Sequence, residues 1–206
     1  MKEETLEGIV LRSVALQEGR CILTLFTPQE GLASVATPRT FAHEMRLASA
    51  TALLSRSEFC CRKGNSDIYR LREAHQIESF DGLRTQFAKI SAAGELLHLI
   101  LRSQLSGRPA PLLYELMLAY LRRLTSSQHP LALVISFQLK LLKHEGLFAW
   151  THALPRTMQE LASFTEDDWL NLGLLTGSRS FTEIEAVSVT PPLGEKVSAL
   201  FETLIR

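Results

Sequence analysis

The stretch EGIVLRSVALQEGRCILTLFTPQEGLASVAT, Glu7 to Thr37, holds three apolar runs separated by two turns. Ile9 to Leu16 alternates in part, Cys21 to Phe26 is a short strand of buried character, and Leu32 to Thr37 closes the unit. QEGR (17–20) and TPQEG (27–31) have turn chemistry, with proline in a favoured position at 28 and Gly31 free to take a left-handed conformation. The pattern predicts a three-stranded meander. No residue in it has the character of a nucleophile, a metal ligand or a phosphate cradle.

Working outward, TPRTFAHEMR reads as a polar connection, followed by a fourth strand from Ala52 to Cys61. There Leu54, Arg56, Glu58 and Cys60 share one face, opposite Leu53, Ser55, Ser57 and Phe59. KGNSD (63–67) marks a turn, and Ile68 to Ile77 a fifth strand with Tyr69, Leu71 and Ile77 opposite Arg70 and Arg72. Five short antiparallel strands within about 75 residues suit a small closed barrel, which removes the exposed edges of a sheet.

After Phe80 the apolar period becomes helical: Leu83, Phe87, Ile90, Leu97 and Leu101 recur on one stripe, up to SGRPAP (106–111). A second helix opens at Pro111 and runs to Thr125, and a third runs from Pro130 to Glu145, capped by Gly146. This third helix is apolar almost all round, which predicts the centre of a bundle. Thr165 with Asp168 forms a capping pair for a helix toward Leu175, and Glu195 to Ile205 reads as a terminal helix. The expected architecture is α+β, with a barrel domain at 1–80 and an α-helical domain at 81–206.

The 206 residues contain 22 basic and 22 acidic side chains, so net charge is zero, yet the charges are segregated. Residues 39–72 hold seven basic groups against three acidic, residues 82–156 nine against three, and residues 157–206 three against eight. A basic middle fits a polyanionic partner. The charged start MKEETLEG has no signal-peptide core and no apolar run reaches membrane-spanning length, so a cytoplasmic location without membrane contact is expected. Cys21, Cys60 and Cys61 are read as reduced thiols.

Catalytic signatures are missing. His43-Glu44 and His144-Glu145 lack the second zinc-protease histidine, since Leu47 and Phe148 stand there. CxxC, GxxxxGK[ST], GxGxxG and GxSxG are absent. Glu166, Asp167 and Asp168 suit a helix's first turn without any metal, and His98 and His152 stand alone. The expectation is a non-enzyme without cofactor or metal.

EGIVLRS and ILTLFTPQEGLASVA resemble the opening of the RecO family of recombination mediators. MRLASATALL and YRLREAHQIESFDGLR look like that family's fourth and fifth strands and first helix entry, and SFQLKLLKHEGL resembles its FELRLLxxLGY helix. The resemblance spans residues 7 to about 150. It implies an N-terminal OB-fold, a helical domain, and a role in DNA repair. That role is to bind and anneal single-stranded DNA, and to act with the single-stranded-DNA-binding protein and RecR in loading RecA.

By that resemblance Arg12 matches the basic residue of IVLRS, Arg39 falls in the basic loop, and Arg46 precedes the fourth strand. With Arg56, Arg62 and Lys63 they form the expected DNA-binding set, and Phe41, Phe59 and Tyr69 are the candidates for stacking on bases. Lys140, which matches the basic position of FELRLL, joins Phe137, Leu141 and Lys143 as the expected site for the partner's acidic, phenylalanine-ending tail. The family's loop AKGARRxKSR is reduced here to ATPRTFAHEMR, and the zinc cysteines that many members carry after the central helix are missing. DNA binding is therefore expected to be weak and salt-sensitive. The alternative is a degenerate protein-interaction module whose OB-fold no longer binds DNA.

Overall fold

Glycine and alternation place the strands where the sequence predicts a barrel, with corrections at three edges. The computed structural model describes residues 2–17, 20–38, 45–64, 66–152, 155–156 and 163–205, with Lys2, Met45 and Arg46 described by backbone alone. The chain divides into two compact units: Met1–Asp81 with Ile100–Leu116, and Gly82–Leu99 with Met117–Arg206.

In the first unit β1 (Lys2–Ala15), β2 (Cys21–Thr27), β3 (Gly31–Ala36), β4 (Arg56–Lys63) and β5 (Ile68–Glu78) close a barrel in the order β1-β2-β3-β5-β4. All neighbours are antiparallel except β3 and β5. This is the OB-fold. Leu6, Val10, Leu23, Leu25, Val35, Phe59 and Leu71 fill its interior, with Ala50 and Leu47 of the short helix α1 (Met45–Ala50) joining the cluster.

β1 begins seven residues before the expected Ile9, because Lys2–Ile9 pairs with β4 while the second half pairs with β2. A bulge between Val10 and Arg12 explains the imperfect alternation: Ile9, Val10 and Leu11 are all buried. The fourth strand does not start at Ala52. A turn that follows helix α1 occupies that ground, with Leu54 at φ +66°. The Ser57 hydroxyl donates to Ala50 O at 2.7 Å, satisfying a carbonyl at the end of α1. Ile77 points outward rather than in, because pairing between β4 and β5 slips at Cys60/Cys61 and again at Arg56/Ser57. An irregularity of this kind reverses which alternate residues face the core.

Gly31 behaves as its turn predicts. It adopts φ +62°, and a Cβ there would meet Leu105 O at 2.6 Å and Arg108 O at 2.4 Å. The segment after helix α2 (Phe87–Ser103) lies against this turn, with Gly107 N donating to Glu30 O and Ala110 N to Pro28 O.

The second unit is built on α4 (Pro130–His144), nine of whose fifteen residues are buried. Around it pack α5 (Glu166–Gly177), α6 (Phe181–Ala186) and α7 (Pro191–Leu204). Helix α3 (Pro111–Ser126) supplies Tyr120, which lies 2.8 Å from Ser136 Oγ. Ser136 donates its only hydroxyl proton to Leu175 O at 2.6 Å, so the Tyr120 phenol is the donor to Ser136. The capping pair is present: Asp168 N donates to Thr165 Oγ1, and Thr165 N to Asp168 Oδ2. The last helix starts at Pro191 rather than Glu195. Thr190 caps it, and prolines are tolerated in a first turn.

Candidate nucleic-acid interface

Among the cations of the barrel, Arg56 is fully committed to the fold. Its Nε donates to Glu7 Oε1 at 2.9 Å and its Nη2 lies 2.8 Å from the same oxygen, with Glu78 at 3.8 Å. The buried Tyr114 phenol donates to that oxygen too, at 2.9 Å. Burial first, then the hydrogen bond to Glu7 and its charge, push the Tyr114 phenol well above its ordinary range. A guanidinium held this way is not free for phosphate.

Arg62 lies at the other end of β4, six residues on and about 20 Å away at the usual strand rise. There Arg20, Arg62, Arg70 and Arg72 surround a cavity of about 510 Å³, with Thr37, Pro38 and Leu71 completing its wall. Arg62 donates to Glu3 Oε1 at 2.9 and 3.1 Å. Arg70 and Arg72 are exposed and make no ion pair among the described residues. Arg62 sits directly across from Arg70 in the β4–β5 ladder. Like charges in that position weaken a sheet, so the fold tolerates a local cost to gather cations here. Arg72 falls where the pairing slips between Leu71 and Glu73, and bulges re-aim side chains in this way. Glu3, Glu4 and Glu73 border a smaller cavity on the other flank of Arg72, which tempers the positive field.

The expected DNA-binding set is therefore dispersed. Arg62 joins the arginine cavity, and Arg12 is exposed on β1 opposite Thr24 without lining it. Lys63 donates to Tyr69 Oη at 2.8 Å and shares a different cavity with Glu30 and Asp67. Arg39, the Arg46 side chain and Phe41 lie outside the described residues. Phe59 and Tyr69 are core residues, 0% and 2% exposed, so neither ring is available to a base. The expected DNA-binding set left out Arg20, Arg70 and Arg72. The usable signal was RLR at 70–72, two outward arginines flanking an inward leucine.

On the helical unit, Phe137 and Leu141 are wholly buried, which removes them from any docking surface. Lys140 Nζ donates to Ser178 O at 2.7 Å, and burial, then the like charge of Lys143, lowers its pKa. Lys143 instead lines a cavity of about 420 Å³ with Phe148, Trp150 and Gly173. The two indoles hold this region: Trp150 Nε1 donates to Trp169 O, and Trp169 Nε1 to Thr151 O.

The cysteines are free, and burial, then Cys60 and Glu4, raise the Cys61 thiol to about 12, an unreactive value. No three metal-ligating side chains converge among the described residues.

Two family models match the chain: Recombination protein O N terminal over residues 1–80, and Recombination protein O C terminal over residues 84–200. The chain belongs to the RecO family. Similar proteins include the DNA repair protein RecO of Chlamydia pneumoniae, 25% identical over 96% of this chain and 86% of the relative. That of Acaryochloris marina is 29% identical over 83% of this chain and 59% of the relative. That of Trichodesmium erythraeum is 28% identical over 88% and 66%. The RecO resemblance and the OB-fold it implies both hold, and this is a RecO-family DNA repair protein. No helix among the described residues is long and apolar enough to cross a membrane.

Proposed function

We propose that this chain is a non-catalytic recombination mediator of the cytoplasm, whose barrel domain, residues 1–80, holds the backbone of single-stranded DNA at its arginine-lined end. The observation that carries the reading is the convergence of Arg20, Arg62, Arg70 and Arg72 on one cavity, two of them unpaired among the described residues. Three or four phosphate contacts give a log-affinity slope of about −2 to −3 against log salt. With Phe59 and Tyr69 in the core, base stacking adds nothing from those rings, so binding is weak and backbone-directed. Arg39 and Arg46 remain members of the proposed DNA-binding set through the family resemblance.

The helical domain, residues 81–206, receives the acidic, aromatic-ended tail of the single-stranded-DNA-binding protein at the Lys143 cavity. The ammonium meets the terminal carboxylate, and Phe148 and Trp150 wall the ring's pocket. With RecR as second partner, the complex hands DNA to RecA. The protein-only adaptor remains the rival, favoured by the acids beside Arg72 and by the internal commitment of Arg56 and Lys63.

Fluorescence polarisation of a labelled oligonucleotide at low salt separates the two. Replacing Arg70 and Arg72 with glutamine lowers affinity about tenfold or more if the mediator reading holds. No binding at all leaves the adaptor, and an affinity unmoved by the pair places the DNA elsewhere on the chain. Titration of a tail peptide then loses affinity with Lys143→Glu; an unaltered curve excludes the cavity.

A further inference from the structure

The helical unit carries a second groove of opposite electrical sign. It is a cavity of about 430 Å³ bounded by α2, α4 and α7, floored by Leu99, Leu131, Val134 and Ile135 and rimmed by Glu95 and Glu195. Both glutamates are exposed, and neither makes an ion pair among the described residues. Gly194 keeps the groove open, because a Cβ there would stand 3.3 Å from Leu131 Cδ1. Gln138 also lines the cavity; it is 3% exposed, and its Oε1 has no hydrogen-bond donor among the described residues. Buried acceptors normally have a partner, so an orphan one beside an open groove calls for a donor from outside.

We propose that this groove docks a basic amphipathic segment of a partner protein. Leucine-like side chains fill the floor, a lysine or arginine sits between Glu95 and Glu195, and one N–H reaches the Gln138 amide after a turn about its soft terminal torsion. The acidic rim repels phosphate and carboxylate, so neither nucleic acid nor an acidic tail fits here. The site is thereby distinct from both cationic sites above. An apolar floor with rim charges of one sign is the pattern by which helix-in-groove recognition selects its ligand.

The test uses the full chain and two fluorescein-labelled amphipathic peptides, one alternating leucine with lysine at helical spacing, the other leucine with glutamate. The wild-type protein binds the lysine peptide saturably and ignores the glutamate one. The double variant Glu95→Lys, Glu195→Lys loses roughly tenfold or more for the lysine peptide and gains affinity for the glutamate peptide. Both changes are at exposed, unpaired positions, and circular dichroism verifies that the variant folds. Val134→Ala weakens lysine-peptide binding by thinning the apolar floor without changing its charge. Equal affinities before and after charge reversal overturn the proposal. So does a lysine-peptide affinity that falls with Lys143→Glu, or a self-association that disappears on reversal and identifies a second copy as the occupant.

Discussion

β4 begins with Arg56 and carries Arg62 one residue before its end, and the two arginines are used in opposite ways. At one end of the barrel Arg56 is locked by Glu7, Glu78 and Tyr114, and the turn at Gly31 is covered by residues 105–108. At the other, Arg62 faces Arg70 across the ladder, with Arg72 and Arg20 beside an open cavity and Glu3 bonded to Arg62. The sealed end spends its polar groups on holding the fold. The open end leaves Arg70 and Arg72 without ion pairs among the described residues, which costs stability and suits the proposed anion site. Counting basic residues along the chain does not distinguish these cases; pairing does.

The comparison breaks most visibly at the sealed end. Gly31→Ala forces a side chain into left-handed backbone and against two carbonyl oxygens that belong to the main chain. Destabilisation of about 3 kcal/mol or more is expected in chemical denaturation, while DNA affinity per folded molecule stays constant. A variant that is as stable as the parent would show that the turn is not held as described.

Tyr114→Phe sharpens the contrast at smaller scale. It deletes one donor to Glu7 and leaves Arg56 in place, for a loss of about 1–2 kcal/mol with DNA binding untouched. If DNA binding falls instead, the sealed end takes part in recognition and the distinction fails.

The smallest effect comes from the helical unit and serves as a control on global unfolding. Burial alone would raise the Asp168 pKa, but the bonds from Lys196 and Thr165 outweigh it and hold the carboxylate below its ordinary value. Its contribution is therefore present above the ordinary carboxylate pKa and is lost as pH falls through the lowered one. Asp168→Asn removes about 1 kcal/mol at neutral pH and flattens the acid limb of the stability profile. An acid limb identical to the parent's would mean the pair contributes nothing.

The barrel was legible in the sequence because β3 alternates with period two, β2 is a short run of buried character, and the turns use glycine and proline. What was hidden lies at irregularities. The bulge near Val10 and the slips between β4 and β5 shift phase without any change in composition, so Ile77 reads inward and points out. Helix α1 hides because MRLASATALL is short and apolar enough to extend a strand. The hydroxyls of Ser55 and Ser57 that end it are meaningful only once Ala50 is in place. The site was harder. Arg56, Arg62 and Lys63 carry the same charge in sequence, and only their partners in space separate structure from surface. Arg20 joins Arg62, Arg70 and Arg72 through barrel closure, a relation between residues some fifty positions apart that no local pattern encodes.

The most direct measurement is the salt dependence of single-stranded DNA affinity for the parent, Arg56→Gln, and the pair Arg70→Glu with Arg72→Glu. The parent and Arg56→Gln should share a slope of about −2 to −3, and the double variant should fall to about −1 as its phosphate contacts disappear. A slope that survives the double variant, or that drops with Arg56→Gln, would place the DNA elsewhere and contradict the assignment of the open end.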